Sequence, residues 1–211
     1  MEPSASAKTE SEAGLILRRG SEGDLHAFLK KLAVVFLYNQ GCFFITTEAD
    51  LGRLGQLRLD GLDSGMVIDV VGVGLEPRTF DASEVDRSDG LLVIRGVEVK
   101  VSRSDFKNGF VCSGCSYNYL LTPMRMVAPS ELPRGVGLIE YNKHKYEFRT
   151  QEQGFDIKGL TVVKKPTHRR LSPIQLDISV ASLFRRTQQE LLGRILKEME
   201  PPRTEEWEQT N

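Results

Sequence analysis

The sequence predicts an α/β domain: a central mixed β-sheet flanked by helices, in the order α-β-β-β-α-β, followed by a long C-terminal helix. Three observations predict it. Residues 91–101 crowd β-branched and apolar side chains into a run of strand length, with Gly90 before it and a Ser/Asp cluster after it. Met66 to Val73 is a second such run, with Asp69 in its middle. Apolar residues at helical spacing lie on either side of these strands, from Leu25 to Tyr38 and again from Ile174 to Leu196.

Each element has its own signal. Residues 1–20 are read as a disordered or loosely ordered tail, and the domain as residues 21–165. Ser21, with Asp24 three residues on, resembles a capping box, and Leu25, Phe28, Leu29, Leu32, Val35 and Phe36 carry a helix to a stop at Gly41. That helix is apolar on more than one side, which predicts packing against a sheet. Cys42 to Thr47 reads as a strand ending at Glu48, and the glycines and leucines of 50–65 as a turn with a short strand at Leu57 to Leu59. After the strand at 66–73, residues 75–90 read as a surface excursion. Ser102 and Ser104 are caps for a short helix through Asp105, Phe106 and Lys107, halted at Asn108-Gly109. Tyr117 to Leu121 and Val136 to Tyr141 are further strands, with Lys145 to Arg149 expected to pair with the latter across a turn. Residues 166–200 form a basic connector and an amphipathic helix opened by Ser172-Pro173, expected to pack on the domain, and 201–211 are a tail.

Composition narrows the function. Over 211 residues, Lys+Arg 28 against Asp+Glu 29 leaves a net charge of -1, so any nucleic-acid contact must come from a local patch. Three cysteines fit a reducing compartment better than a disulfide scaffold. Without an apolar run of roughly 18 residues, or a signal-peptide core near the N-terminus, a soluble, cytoplasmic protein with no membrane partner is expected.

The chemistry lies in Asp69, Glu98 and Lys100. Side chains alternate along a strand, so Glu98 and Lys100 share one face while Val97, Val99 and Val101 share the other. Charges at the end of so apolar a strand are costly unless paired with each other or with a metal ion. Two carboxylates on adjacent strands suit a hard divalent cation such as Mg²⁺, held against a phosphate. The backbone carbonyl of Val99 would complete the coordination, and Lys100 would orient or help deprotonate water. Removing either carboxylate is expected to leave the fold intact and even to relieve repulsion between them.

The order helix, strand, strand with Asp69, strand with Glu98-x-Lys100, helix, strand resembles the PD-(D/E)xK, or restriction-endonuclease-like, nuclease superfamily. Residues 97–106, 115–123 and 132–139 resemble its MmcB-like branch of DNA-repair proteins. The resemblance spans roughly 26–185. It implies a restriction-endonuclease-like core in which Asp69 and Glu98 bind Mg²⁺ or Mn²⁺ and Lys100 is catalytic, acting on DNA in repair or in a mobile-element setting. Ile68 stands where the superfamily often has proline. Many members carry an acidic residue on the first helix; Glu22 and Asp24 are the counterparts here, with Glu48 an alternative.

Other residues are weighed beside this site. His26 is either a surface histidine or a group facing the metal cleft. Arg103 and Lys107 flank the cleft, and Lys164, Lys165, Arg169 and Arg170 form either a phosphate-binding patch or a solvated loop. Cys112-x-x-Cys115 reads as two ordinary thiols, because suitably spaced partners for zinc are lacking. The apolar stripe of the last helix docks on the domain or serves a homodimer. Two functions remain: a metal-dependent DNA nuclease, or a non-catalytic DNA-binding or assembly module on the same fold. An unrelated α/β protein with an internal salt bridge is a weaker third, and would leave Asp69 and Glu98 far apart.

Overall fold

The computed structural model describes residues 22–51, 53–54, 57–58, 67–76, 92–110, 113–151 and 154–198. Helix α1 (Glu22–Asn39) leads into strand β1 (Cys42–Asp50), two short strands β2 (Arg53–Leu54) and β3 (Leu57–Arg58), and the long strands β4 (Val67–Leu75) and β5 (Leu92–Val99). Helix α2 (Arg103–Lys107), β6 (Tyr117–Pro123), a 3-10 turn (Pro129–Glu131) and β7 (Gly137–Tyr141) follow. The chain continues through β8 (Glu147–Gln151), β9 (Gly154–Lys158), β10 (Leu160–Lys164) and helix α3 (Pro173–Glu198). Ser21, the expected cap of α1, lies outside the described residues.

The described strands build a six-stranded mixed sheet in the order β1-β4-β5-β6-β7-β10. β5–β6 and β6–β7 run parallel, whereas β1–β4, β4–β5 and β7–β10 run antiparallel. One face of the sheet is covered by α1, whose Leu29, Leu32, Ala33, Phe36 and Leu37 join Val70, Val97, Val99 and Leu121 in one apolar cluster. On the other face Leu176, Val180 and Leu183 of α3 pack on Val71, Val73, Ile94 and Cys115. The α/β class and the expected strands around Asp69 and Glu98 are present; between α1 and α2 the short strands β2 and β3 add to the three in the expected order.

Gly41 stops α1 with a left-handed backbone (φ 78°), and the next residue, Cys42, already begins β1. Two expectations are corrected. Residues 147–151 pair with β9 in a separate two-stranded sheet, not with β7, whose partner is β10. The stripe on α3 docks only over its first half: Leu183 is buried, but Leu191, Leu192, Ile195 and Leu196 are exposed, as is Ile174. No described helix is long and apolar enough to cross a membrane.

Candidate active site

The site is built where β4 and β5 part. Their register is continuous from Leu75↔Leu92 to Val70↔Val97 and ends there, while β4 continues along β1 to Val67. Beyond the last pair the backbone N–H of Val99 has no β4 carbonyl, and the carboxylate of Asp69 takes its place: Oδ2 accepts from Val99 N at 2.8 Å. A buried donor left without an acceptor is expensive, so this bond fixes Asp69 beside β5.

Register also aligns three acids. Thr47 opposes Val70 and Ala49 opposes Ile68, which sets Glu48 level with Asp69; Val70 opposes Val97, which sets Asp69 level with Glu98. The row is locally irregular. Glu48 has a left-handed backbone, φ 55°, inside a strand, and Ile68 and Val71, three residues apart, both join the α3-side cluster. The two-residue alternation therefore breaks at Asp69, which meets α1: Lys30 Nζ lies 2.8 Å from Oδ1, and His26 Nε2 lies 3.5 Å from Oδ2. Lys30 also donates to Glu48. Burial works against the Lys30 ammonium, but its hydrogen bonds to Asp69 and Glu48 outweigh this and raise its pKa above the ordinary lysine value.

Glu98 is the anomalous group. It is 7% exposed, and its Oε2 is buried with no hydrogen-bond partner. Burial, and next the charge of Asp69, push its carboxyl up to about 7, although Lys100 and a hydrogen bond from the backbone of Asp69 oppose the shift. Lys100 Nζ stands 3.6 Å from Glu98 Oε1 and 3.1 Å from Asp105 Oδ1. Ser102 caps α2 by accepting from Asp105 N at 3.2 Å, and Asp105 Oδ2 in turn accepts from Val101 N at 3.4 Å. The short helix thus aims Asp105 at Lys100, and Lys100 at Glu98.

Asp69, Glu98, Val99 and Lys100 are therefore together, and the two acids are not far apart as the third reading expected. Of the accessory candidates, Glu48 and His26 reach Asp69 directly or through Lys30, and Ser102 acts as a helix cap. Glu22 opens α1, but its side chain lies outside the described residues. The basic candidates are scattered. Arg103 is held by a two-pronged pair with Glu131 at 2.9 and 2.7 Å and by the carbonyl of Met126. Lys107 ends α2, exposed. Lys164 ends β10 and donates to the carbonyls of Pro129 and Pro133. Lys165, Arg169 and Arg170 lie on an exposed connector, tied by Arg169 N to the carbonyl of Ser116. Ser116 precedes Tyr117, which pairs with Arg95. That connector therefore lies towards the far end of the sheet, about 10–13 Å along β5 from Glu98 at the usual rise per residue.

Three groups were missing from the sequence reading of roles: Lys30, Asp105, and the arginines of α3. A cleft of about 350 Å³ beside Glu48 is lined by Asp50 and by Arg185 and Arg186. Lys30 follows His26 by four residues on one helix face, which is the only local signal it offers. Cys115 is fully buried with its thiol pKa pushed up by burial, while Cys112 lies outside the described residues.

No family model matches this chain, and no curated protein does. Among solved structures, a protein of unknown function from Silicibacter pomeroyi is similar at 16% identity, covering 82% of this chain and 92% of its own, with a TM-score of 0.48.

Proposed function

We propose that this chain is a divalent-metal-dependent DNA nuclease of the PD-(D/E)xK type with a restriction-endonuclease-like core, acting in DNA repair or a mobile-element setting. The observation that carries the reading is Glu98: a nearly buried carboxylate, one oxygen without a partner, set level with Asp69 and tethered to Lys100. A purely structural ion pair would satisfy both oxygens.

The donor set fits a hard cation. Asp69 and Glu98 supply carboxylate oxygens, the Val99 carbonyl directly follows Glu98 in sequence, and the unpartnered Glu98 Oε2 is a vacant acceptor. Among the described residues no three His, Cys, Asp or Glu side chains converge on one point. Two carboxylates plus water is the manner in which Mg²⁺ binds at many phosphoryl-transfer sites. Bound there, the ion would polarise a phosphodiester and lower the pKa of its water. The chain's own groups do the rest. Lys100, held between Glu98 and Asp105, orients the attacking water and stabilises charge on the phosphate. His26, partly exposed beside Asp69, faces the phosphate's approach, and Arg103 or Lys107 holds flanking backbone.

One observation favours the non-catalytic DNA-binding module instead. Both Asp69 oxygens are already engaged, by Lys30 and by Val99 N–H. Titration of Mn²⁺ into the wild type and Glu98→Gln, followed by incubation with labelled single-stranded, duplex and branched DNA, separates the two. Metal binding lost in the variant, with metal-dependent cleavage by the wild type alone, establishes the nuclease. Salt-sensitive DNA binding without metal binding establishes the module and refutes the nuclease.

A further inference from the structure

Both Asp69 oxygens are engaged, one by the backbone and one by a side chain that can move. Oδ2 is taken by Val99 N–H at 2.8 Å, a backbone bond at the parting of two strands, with His26 Nε2 at 3.5 Å from the same atom. Oδ1 is taken by Lys30 Nζ at 2.8 Å. A metal ion held by Asp69 Oδ1 and Glu98 would compete with that ammonium for the same carboxylate, and Lys30 would need another partner. The side chains differ in their access to water: Lys30 is 18% exposed and Asp69 13%, whereas Glu48 is 48% exposed. Glu48 already touches Lys30, and it does so from a left-handed backbone conformation that a glutamate adopts only under constraint.

Resting on the nuclease reading above, we propose that Lys30 is the internal counter-ion of the metal-free site and that Glu48 receives it when a divalent cation takes Asp69 Oδ1. Lys30 then gives up one of two partners and keeps the other, so the exchange leaves no lysine stranded away from water. Glu48 acts as a positioning residue: it sets the affinity of the site for metal through Lys30 and not by ligating the ion. The ammonium stays on Glu48 while the cation takes its place on Asp69, so binding adds the two charges of the ion to the site and Lys30 keeps a carboxylate partner.

The test is a double-mutant cycle read by calorimetric Mn²⁺ titration, with circular dichroism confirming the fold, on the wild type, Lys30→Met, Glu48→Gln and the double variant. Lys30→Gln serves as a second probe should the methionine variant fold poorly. Lys30→Met is expected to tighten Mn²⁺ about tenfold, and Glu48→Gln to weaken it about fivefold in the wild-type background while changing it less than about twofold without Lys30. An equal loss in both backgrounds would make Glu48 a ligand or a bare field source and overturn the relay. Unchanged affinity on removing Lys30 would also overturn it; if Glu98→Gln still abolished binding, the nuclease site itself would stand. Mn²⁺ bound by Lys30→Met but not by the wild type would support displacement in its strongest form. Binding by none of the proteins would refute the relay and the metal site together.

Discussion

Glu98→Gln should stabilise the metal-free protein at alkaline pH, and the size follows from burial. The carboxyl titrates at about 7 in the fold against 4.5 for an ordinary glutamate, first because it is buried and second because Asp69 is close. The folded state holds the proton more tightly, so unfolding releases it, and stability falls as pH rises between the two values. Stability is at its full value below about pH 4.5 and has been lost once pH has passed through about 7. The difference of pKa corresponds to about 3 kcal/mol. The group is 7% exposed, so solvent screening removes little of it. Glutamine keeps the shape and discards the charge, but leaves Lys100 with Asp105 alone, an offset of about 1 kcal/mol. The net gain at pH 8 is then about 2 kcal/mol, or 4–8 °C in Tm for a chain of this size, vanishing towards pH 4.5. Urea and thermal unfolding of both proteins in EDTA at pH 5 and pH 8 measure it. A variant with the same advantage at both pH values, or one less stable than the wild type at pH 8, would refute the claim that Glu98 is a buried and only partly compensated carboxylate.

Asp69→Ala should do the opposite, costing about 2 kcal/mol by urea denaturation because Val99 N–H and Lys30 lose their acceptor, with Asp69→Asn recovering part of the loss. Lys100→Met removes the charge that opposes the Glu98 shift, so the Glu98 carboxyl should titrate still higher than about 7, as read from its side-chain carbon signal in an NMR titration. The same variant should retain Mn²⁺ and lose cleavage rate. Gly96→Ala places a methyl group 2.6 Å from the Sγ of Cys115, a fully buried side chain that has little room to yield, and should cost about 1–3 kcal/mol in unfolding free energy.

The parts of the fold that were legible in the sequence are those whose apolar runs are buried. β4 and β5 are covered on both faces and β1 on part of its length, and α1 carries its core residues at clear helical spacing. β8, by contrast, is exposed at every residue, and β10 at three of five. Neither presents an alternation that selects a partner, and the choice of β10 over β8 beside β7 is made by long-range pairing. The site divides in the same way. Asp69, Glu98 and Lys100 stand out because a charge in an apolar strand is conspicuous. Lys30 is followed directly by Lys31, and only the rotation of α1 over the sheet decides which of the two meets Asp69. Losing either carboxylate would remove the repulsion between them, but on this geometry a net gain in stability is expected for Glu98 alone, since Asp69 accepts a backbone hydrogen bond that the sequence could not reveal.

That difference decides how much each residue says about function. Asp69 has a sufficient structural account: it closes a gap in a sheet and neutralises a lysine, and many proteins would keep such a residue without chemistry. Glu98 has none. Its burial costs stability at neutral pH, its second oxygen is unsatisfied, and Lys100 compensates only in part, its ammonium being shared with Asp105. Glu48 adds a strained backbone one strand further along the same row. Costs of this kind accumulate where a ligand is to be bound, because groups that satisfied one another fully would have nothing left to offer it. The proposed chemistry is therefore supported less by the Asp69 and Glu98-x-Lys100 pattern itself than by the incomplete compensation of Glu98 within it. A chain with the same pattern but with both Glu98 oxygens hydrogen-bonded would have to be read as a structural ion pair.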